Sequence, residues 1–136
     1  MSGKVICKYY VYLLVSENDS RRTYIGYTNT HPKERLRKHN GIISGGAKKT
    51  MKGRPWKIVM YITGFDTERT ALQYEFMIHH PPKGIRRKGG GILNKMKIMK
   101  KLLQRERICS TSPPTSSLFL CKFFTTSDYL DLWISI

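Results

Sequence analysis

Acidic side chains are scarce in this chain. Only nine of its 136 residues are Asp or Glu, against 25 Lys and Arg, which gives a formal charge of +16. A nest of carboxylates holding two metal ions is therefore not expected. Cysteine is scarcer still: Cys7, Cys109 and Cys121 stand far apart and form no C-x-x-C pair. They offer neither a disulfide framework nor a zinc module, which fits a reducing compartment. No apolar run is long enough to cross a bilayer, and residues 1–4, MSGK, have no apolar signal core. The expected setting is intracellular, away from membranes, and nuclear in a eukaryotic host.

What is abundant is basic charge, and it is concentrated. Residues 33–57 hold nine Lys and Arg against Glu34, and residues 83–107 hold ten against Glu106. The rest of the chain carries six basic and seven acidic groups, so these two stretches hold the whole excess. A charge run can be a solvated face or a disordered arm. Two runs beside a balanced remainder point instead to a polyanion partner, a nucleic acid. A ribosomal or packaging protein would show the same charge. At this length the chain buries one modest core.

The pattern predicts an α+β domain with a small, mainly antiparallel three-stranded sheet flanked by helices. Tyr10, Tyr12 and Leu14 alternate with Val11, Leu13 and Val15, a strand period rich in aromatic and β-branched residues. Polar residues 16–22 turn the chain into a second strand over 23–28 containing Tyr24-Ile25-Gly26. Thr30 is the expected N-cap of a helix with Pro32 in its first turn, and Gly41 can end it. On that helix Arg35 and His39 are i and i+4, so they share a face. Residues 56–65 are apolar nearly throughout, as a central strand buried on both sides would be. Trp56, which begins this strand, is read as packing rather than as a base-stacking ring.

Asp66 or Thr67 caps a second helix that reaches about residue 80, where Pro81-Pro82 stops it. Leu72, Phe76 and His79 lie at i, i+4 and i+7, with Ala71, Tyr74 and Ile78 beside them. Glu75 sits among these apolar positions, where a carboxylate needs a partner: Arg35, or a metal ion. His79 and His80 point about 100° apart on a helix, so they are read as structural or surface residues rather than a ligand pair. After the glycine-rich break at 88–91, Ile92, Met96, Met99 and Leu103 mark an amphipathic basic helix. Residues 110–117 read as a linker. The apolar end can add a strand and a short helix, or dock a partner. The expected organisation is one folded domain over 1–82, a basic helical extension over 83–109, and a linker with an apolar tail over 110–136.

Tyr10-Val11-Tyr12, Tyr24-Ile25-Gly26, Arg35 and His39 together resemble the GIY-YIG nuclease superfamily. Further stretches are similar to the catalytic subunit of the eukaryotic structure-selective endonuclease that cuts flaps and branched junctions. These are RLRKHNG at 35–41, GGAKKT at 45–50, RPWK at 54–57, ALQYEF at 71–76, and His80-Pro81. The likeness covers residues 8–82. Tyr10 stands where the name-giving motif has glycine, and that subunit's zinc module has no counterpart in these cysteines.

The resemblance implies a divalent-metal-dependent DNA endonuclease of repair and recombination, with one Mg2+ or Mn2+ held by Glu75 and a protein scaffold as partner. Arg35 would hold a non-bridging phosphate oxygen. Tyr12, Tyr24 and His39 are the candidates to accept or position the water's proton, with Tyr12 assigned as base by the family likeness. A free tyrosine titrates near pH 10, so that role requires nearby positive charge. Arg37, Lys38, Lys48, Lys49, Lys52 and Arg54 are expected on the DNA backbone, with Gly45-Gly46 allowing close approach. Lys95, Lys97, Lys100 and Lys101 would extend the track. Two other readings stand beside this one: a nicking nuclease of the mobile-element or nick-incision type, and a non-catalytic basic nucleic-acid-binding protein.

Overall fold

The computed structural model describes residues 7–45, 48–86 and 88–136. Gly46, half of the expected phosphate-approach pair, and residues 1–4 lie outside the described residues. Strands β1 (Tyr10–Ser16), β2 (Thr23–Thr28), β3 (Trp56–Thr63) and β4 (Cys121–Phe124) form one antiparallel sheet in the order β2-β1-β3-β4. The expectation of three strands is corrected to four. The fourth comes from the apolar end of the chain, which pairs along β3 from Met60↔Phe124 to Thr63↔Cys121. Phe124 is held there by Trp133, ring centroids 5.9 Å apart, from helix α4 (Ser127–Ser135).

β1 is buried along its whole length because both of its faces are covered. Val11, Leu13 and Val15 face a core shared with α2 (Glu68–His79) and α3 (Ile92–Leu103). Tyr12 and Leu14 face the other side, with Trp56, Ile58 and Leu36 of α1 (Pro32–His39). Thus the alternation in the sequence separates two faces, one packed against α2 and α3 and one carrying the candidate site residue Tyr12. The residues expected as extension and tail also pack on this sheet: Met96, Ile98, Met99, Leu102, Ile108 and Trp133 belong to the same core as β1.

Three local expectations change. The N-cap of α1 is His31, whose Nδ1 accepts the Lys33 amide at 3.2 Å. Thr30 instead turns to Thr28, with the two hydroxyls 3.0 Å apart. On α2 the buried residues are Thr70, Ala71, Tyr74 and Ile78, while Leu72 and Phe76 face outward. On α3 Ile98 and Leu102 join Met96 and Met99 in the core, and Ile92 and Leu103 sit at its margin. The glycine-rich break places the start of α3 against the β1–β2 turn. A Cβ on Gly90 would come within 2.7 Å of the Arg21 carbonyl oxygen, a contact only glycine permits.

Candidate active site

The site is built outward from Tyr12. In the β1–β2 register Tyr12 lies opposite Gly26, and its phenol ring fills the space a Cβ on Gly26 would take. This gives the glycine of Tyr24-Ile25-Gly26 a physical task. The ring reaches across β2 so that Oη lies 2.7 Å from His39 Nε2. His39 Nδ1 lies 3.0 Å from Thr50 Oγ1, so the imidazole is bonded at both nitrogens. The Tyr24 ring covers the imidazole at 4.8 Å between centroids and lies 6.3 Å from the Tyr12 ring.

The end of α1 is fixed by neighbouring side chains. Asn40 accepts the Trp56 amide at 2.5 Å and donates to the Trp56 carbonyl at 2.9 Å, tying the helix end to the start of β3. Arg54 Nε donates to the His39 carbonyl at 2.6 Å. Trp56, 3% exposed, donates its indole N–H to the Thr50 carbonyl at 2.6 Å. The imidazole can hardly move within this frame.

Electrostatics follow from burial. His39 is fully enclosed; burial first, then the charges of Arg35 and Arg54, push its pKa down to about 4. It is therefore neutral at pH 7 and able to accept a proton. Burial pushes Tyr12 up to about 12, against the opposing effect of a hydrogen bond from Arg35. Tyr24 is raised by burial and then by the Glu75 charge. Arg35 and Glu75 both act on both phenols, so the structure brings all five residues into one neighbourhood. Arg35 Nε is buried and has no hydrogen-bond partner. Such an N–H costs about 1–3 kcal/mol unless something accepts from it.

Glu75 arrives from α2 and meets Tyr24 and Ile25 around the β2 edge of the sheet, where a cleft of about 550 Å3 opens. Arg22, Tyr24, Lys48, Lys49, Glu75 and Lys95 are among its walls. Glu75 is about a quarter exposed, and its Oε2 lies 3.4 Å from His79 Nε2. Among the described residues no ion pair joins it to Arg35. His79 Nε2 also lies 3.1 Å from the Ile25 carbonyl oxygen, to which only a protonated nitrogen can donate. His79, read from sequence as structural or surface, thus belongs to the cleft. Its i+4 spacing from Glu75 was the available signal. Thr50 and Asn40 were also passed over, because nothing local marks a hydroxyl or amide as a second-layer support.

The lysines and arginines divide. Lys48 and Lys49 line the cleft, and Lys52 is exposed outside its walls. Arg37 is exposed and pairs with Glu34 at 3.7 Å, and Lys38 is half-buried. Arg54 is held by the end of α1. Lys95 faces the cleft, whereas Lys97 and Lys101 lie with Lys100 beside Ile136, at the α4 side. Lys100 departs most from the expected DNA track. Its ammonium donates to the main-chain oxygens of Trp133 and Ile136, both at 2.8 Å, and lies 5.8 Å from the Trp133 ring centroid. A wider groove of about 600 Å3 runs along the outer side of α2 past Leu72 and Phe76. It touches Glu75 but neither tyrosine, whereas the smaller cleft brings Glu75 and Tyr24 to one wall.

The donor set restricts the metal. Among the described residues no group of three or more His, Cys, Asp and Glu side chains converges as a ligand cluster. A single carboxylate at a wet cleft mouth fits one hard divalent cation that keeps most of its water shell, as Mg2+ does. It does not fit a zinc site or a two-metal centre.

Two neighbouring strands that each carry a tyrosine, a helix carrying Arg and His, and a second helix presenting one carboxylate define a class of catalytic domain. The GIY-YIG catalytic domain family matches residues 8–79, and the chain belongs to that family. It is 53% identical over 74 residues to a structure-specific endonuclease subunit slx1 of Schizosaccharomyces japonicus, covering 54% of this chain and 27% of that protein. It is 42% identical over 74 residues to an SLX1 homolog of Giardia intestinalis, covering 53% and 20%. It is 45% identical over 85 residues to an SLX1 homolog of Drosophila persimilis, covering 59% and 29%. The matched region thus spans less than a third of each of these relatives.

Proposed function

We propose that this chain is a divalent-metal-dependent DNA endonuclease that hydrolyses phosphodiester bonds in branched or flapped DNA, in the service of repair or recombination. The observation that carries the reading is the buried, unpartnered Nε of Arg35, whose charge acts on Tyr12, Tyr24 and His39 together. A phosphate oxygen is the partner that a guanidinium in such a place accepts best. The names of the relatives, subunits of a structure-specific endonuclease, support a substrate told apart by its structure and a partner subunit; a branched DNA, a scaffold and action in the nucleus extend that reading.

In this reading Arg35 holds a non-bridging oxygen and the charge that develops there. Lys48 and Lys49 draw the strand into the cleft. Tyr24, at the cleft wall, orients the attacking water. Tyr12 takes the water's proton as its own phenolic proton passes to His39 Nε2, an acceptor kept neutral by burial and made more basic by the incoming phosphate's charge. Glu75 would hold the ion, Mg2+ or Mn2+, which when bound would supply positive charge to the phosphate and the departing oxygen. His79, tied to Ile25, keeps Glu75 turned toward the cleft.

The test is purified protein with Mg2+ or Mn2+ on labelled flap, fork, Holliday-junction and linear duplexes of matched sequence. Incision near the branch point, with linear duplex left whole, is the expected result. Equal cutting of linear duplex would remove the claim of shape selectivity. Binding without cutting of any shape would favour a non-catalytic binder.

A further inference from the structure

A second cleft, of about 380 Å3, lies beside the first, between the end of α2 and the start of α3. His79, His80, Arg86, Asn94 and Lys95 are among its walls, and no acidic residue is. The two clefts share Lys95 and His79 and so meet at one edge. At that edge Lys95 is half-buried, and among the described residues its ammonium has no ion-pair or hydrogen-bond partner. Arg86, exposed at the far wall, has no side-chain partner either. Desolvation works against the charged form of a half-buried lysine, so an anion in the cleft would favour it. The same desolvation lowers its pKa here. Lys100, one turn and more along the same helix, shows the contrast, with its ammonium fully engaged by α4. The seating of Gly90 against Arg21 puts Lys95 across the cleft from Tyr24, Lys48 and Lys49.

We propose that the second cleft is a phosphate subsite for the same DNA strand: on leaving the catalytic cleft the strand passes over Lys95, and Lys95 with Arg86 holds the backbone phosphate flanking the scissile one. This rests on the nuclease reading above for the position of the scissile phosphate. The ligand is a nucleic-acid phosphodiester rather than free phosphate, because the subsite is open to the catalytic cleft along a shared wall. Lys95 therefore acts apart from Lys97 and Lys101, which lie toward α4.

The experiment is a methylphosphonate scan, in which each phosphate around the incision point of a flap is neutralised in turn. Binding is read in the Glu75→Gln background so that the strand stays intact. One flanking position should weaken binding about tenfold, the loss of one charge-assisted hydrogen bond. In Lys95→Gln that position should cost clearly less, and in Lys95→Gln with Arg86→Gln nothing further, while Lys95→Arg and the charge-matched surface variant Lys122→Gln should keep the penalty. Inorganic phosphate at millimolar concentration should not relieve the difference. An equal penalty at every position, or an unchanged scan in Lys95→Gln with an unchanged thermal midpoint, overturns the subsite. Because the scan reads binding alone, absence of cleavage by the parental protein would refute the nuclease reading without deciding this one.

Discussion

A single methyl group on Gly26 would occupy the volume of the Tyr12 ring. Gly26→Ala should therefore displace the phenol from His39 and lower single-turnover cleavage by at least about a hundredfold, on the scale of a lost positioned proton acceptor. DNA affinity should change little, since no basic residue moves. Arg35→Ala should be inactive and Arg35→Lys should recover only part of the rate, because an ammonium cannot reproduce the planar fork. Full activity in the lysine variant would reduce Arg35 to a point charge.

His39 makes a prediction about stability. Its folded pKa, about 4, lies below the ordinary 6.5, so between these values the unfolded chain binds the extra proton. Stability should then be full above about pH 6.5 and fall as pH drops toward 4, by at most about 3 kcal/mol. Urea titrations from pH 4.5 to 7.5 should show this slope in the parental protein and a flatter one in His39→Gln. At this scale the order of tyrosines, arginine, histidine and glutamate was legible, since residue type and spacing carry it. Depth was not: nothing local announces that His39 is enclosed, because Arg54 and Trp56, which fix the helix end around it, lie fifteen residues and more away in the chain.

Among the elements, α2 and α3 show how far periodicity reaches. Both helices lie where the apolar spacing puts them, yet α2 buries Ala71, Tyr74 and Ile78 and leaves Leu72 and Phe76 in solvent. Two apolar stripes overlap on that helix, and only the sheet it meets decides between them. On α3 the lysines look alike in sequence and differ in space. Lys100→Met should cost about 1–2 kcal/mol of stability by leaving the main-chain oxygens of Trp133 and Ile136 without their donor, while DNA binding falls less than in Lys95→Gln. Chemical denaturation beside binding titrations separates the two. Lys48→Gln with Lys49→Gln should slow cleavage at saturating enzyme as well as weaken binding, because both lysines line the cleft. A parental rate at saturation would make that loop an electrostatic tether only. The fourth strand was the least legible element: CKFF is short, and its place depends on the open edge of β3 and on Trp133, both distant in sequence.

For the whole molecule, the two basic stretches that composition isolates converge on one edge of the sheet. Lys48 and Lys49 come from the first, and Lys95 and Arg86 from the second. Glu75 shares the cleft at that edge with four cationic walls, Arg22, Lys48, Lys49 and Lys95, and is the one carboxylate among its described walls. Binding and chemistry should therefore be separable in one variant. The decisive measurement is Mg2+-dependent cleavage of a labelled flap by Glu75→Gln, with affinity for the same flap measured alongside. Glutamine keeps the shape of the side chain and removes the charge that holds the ion. Cleavage should vanish while the dissociation constant stays within about threefold of the parental value, since affinity rests on the phosphate contacts of the lysines and arginines. Cutting by Glu75→Gln at the parental rate, with the same metal dependence, would contradict the account and place the metal ligand elsewhere.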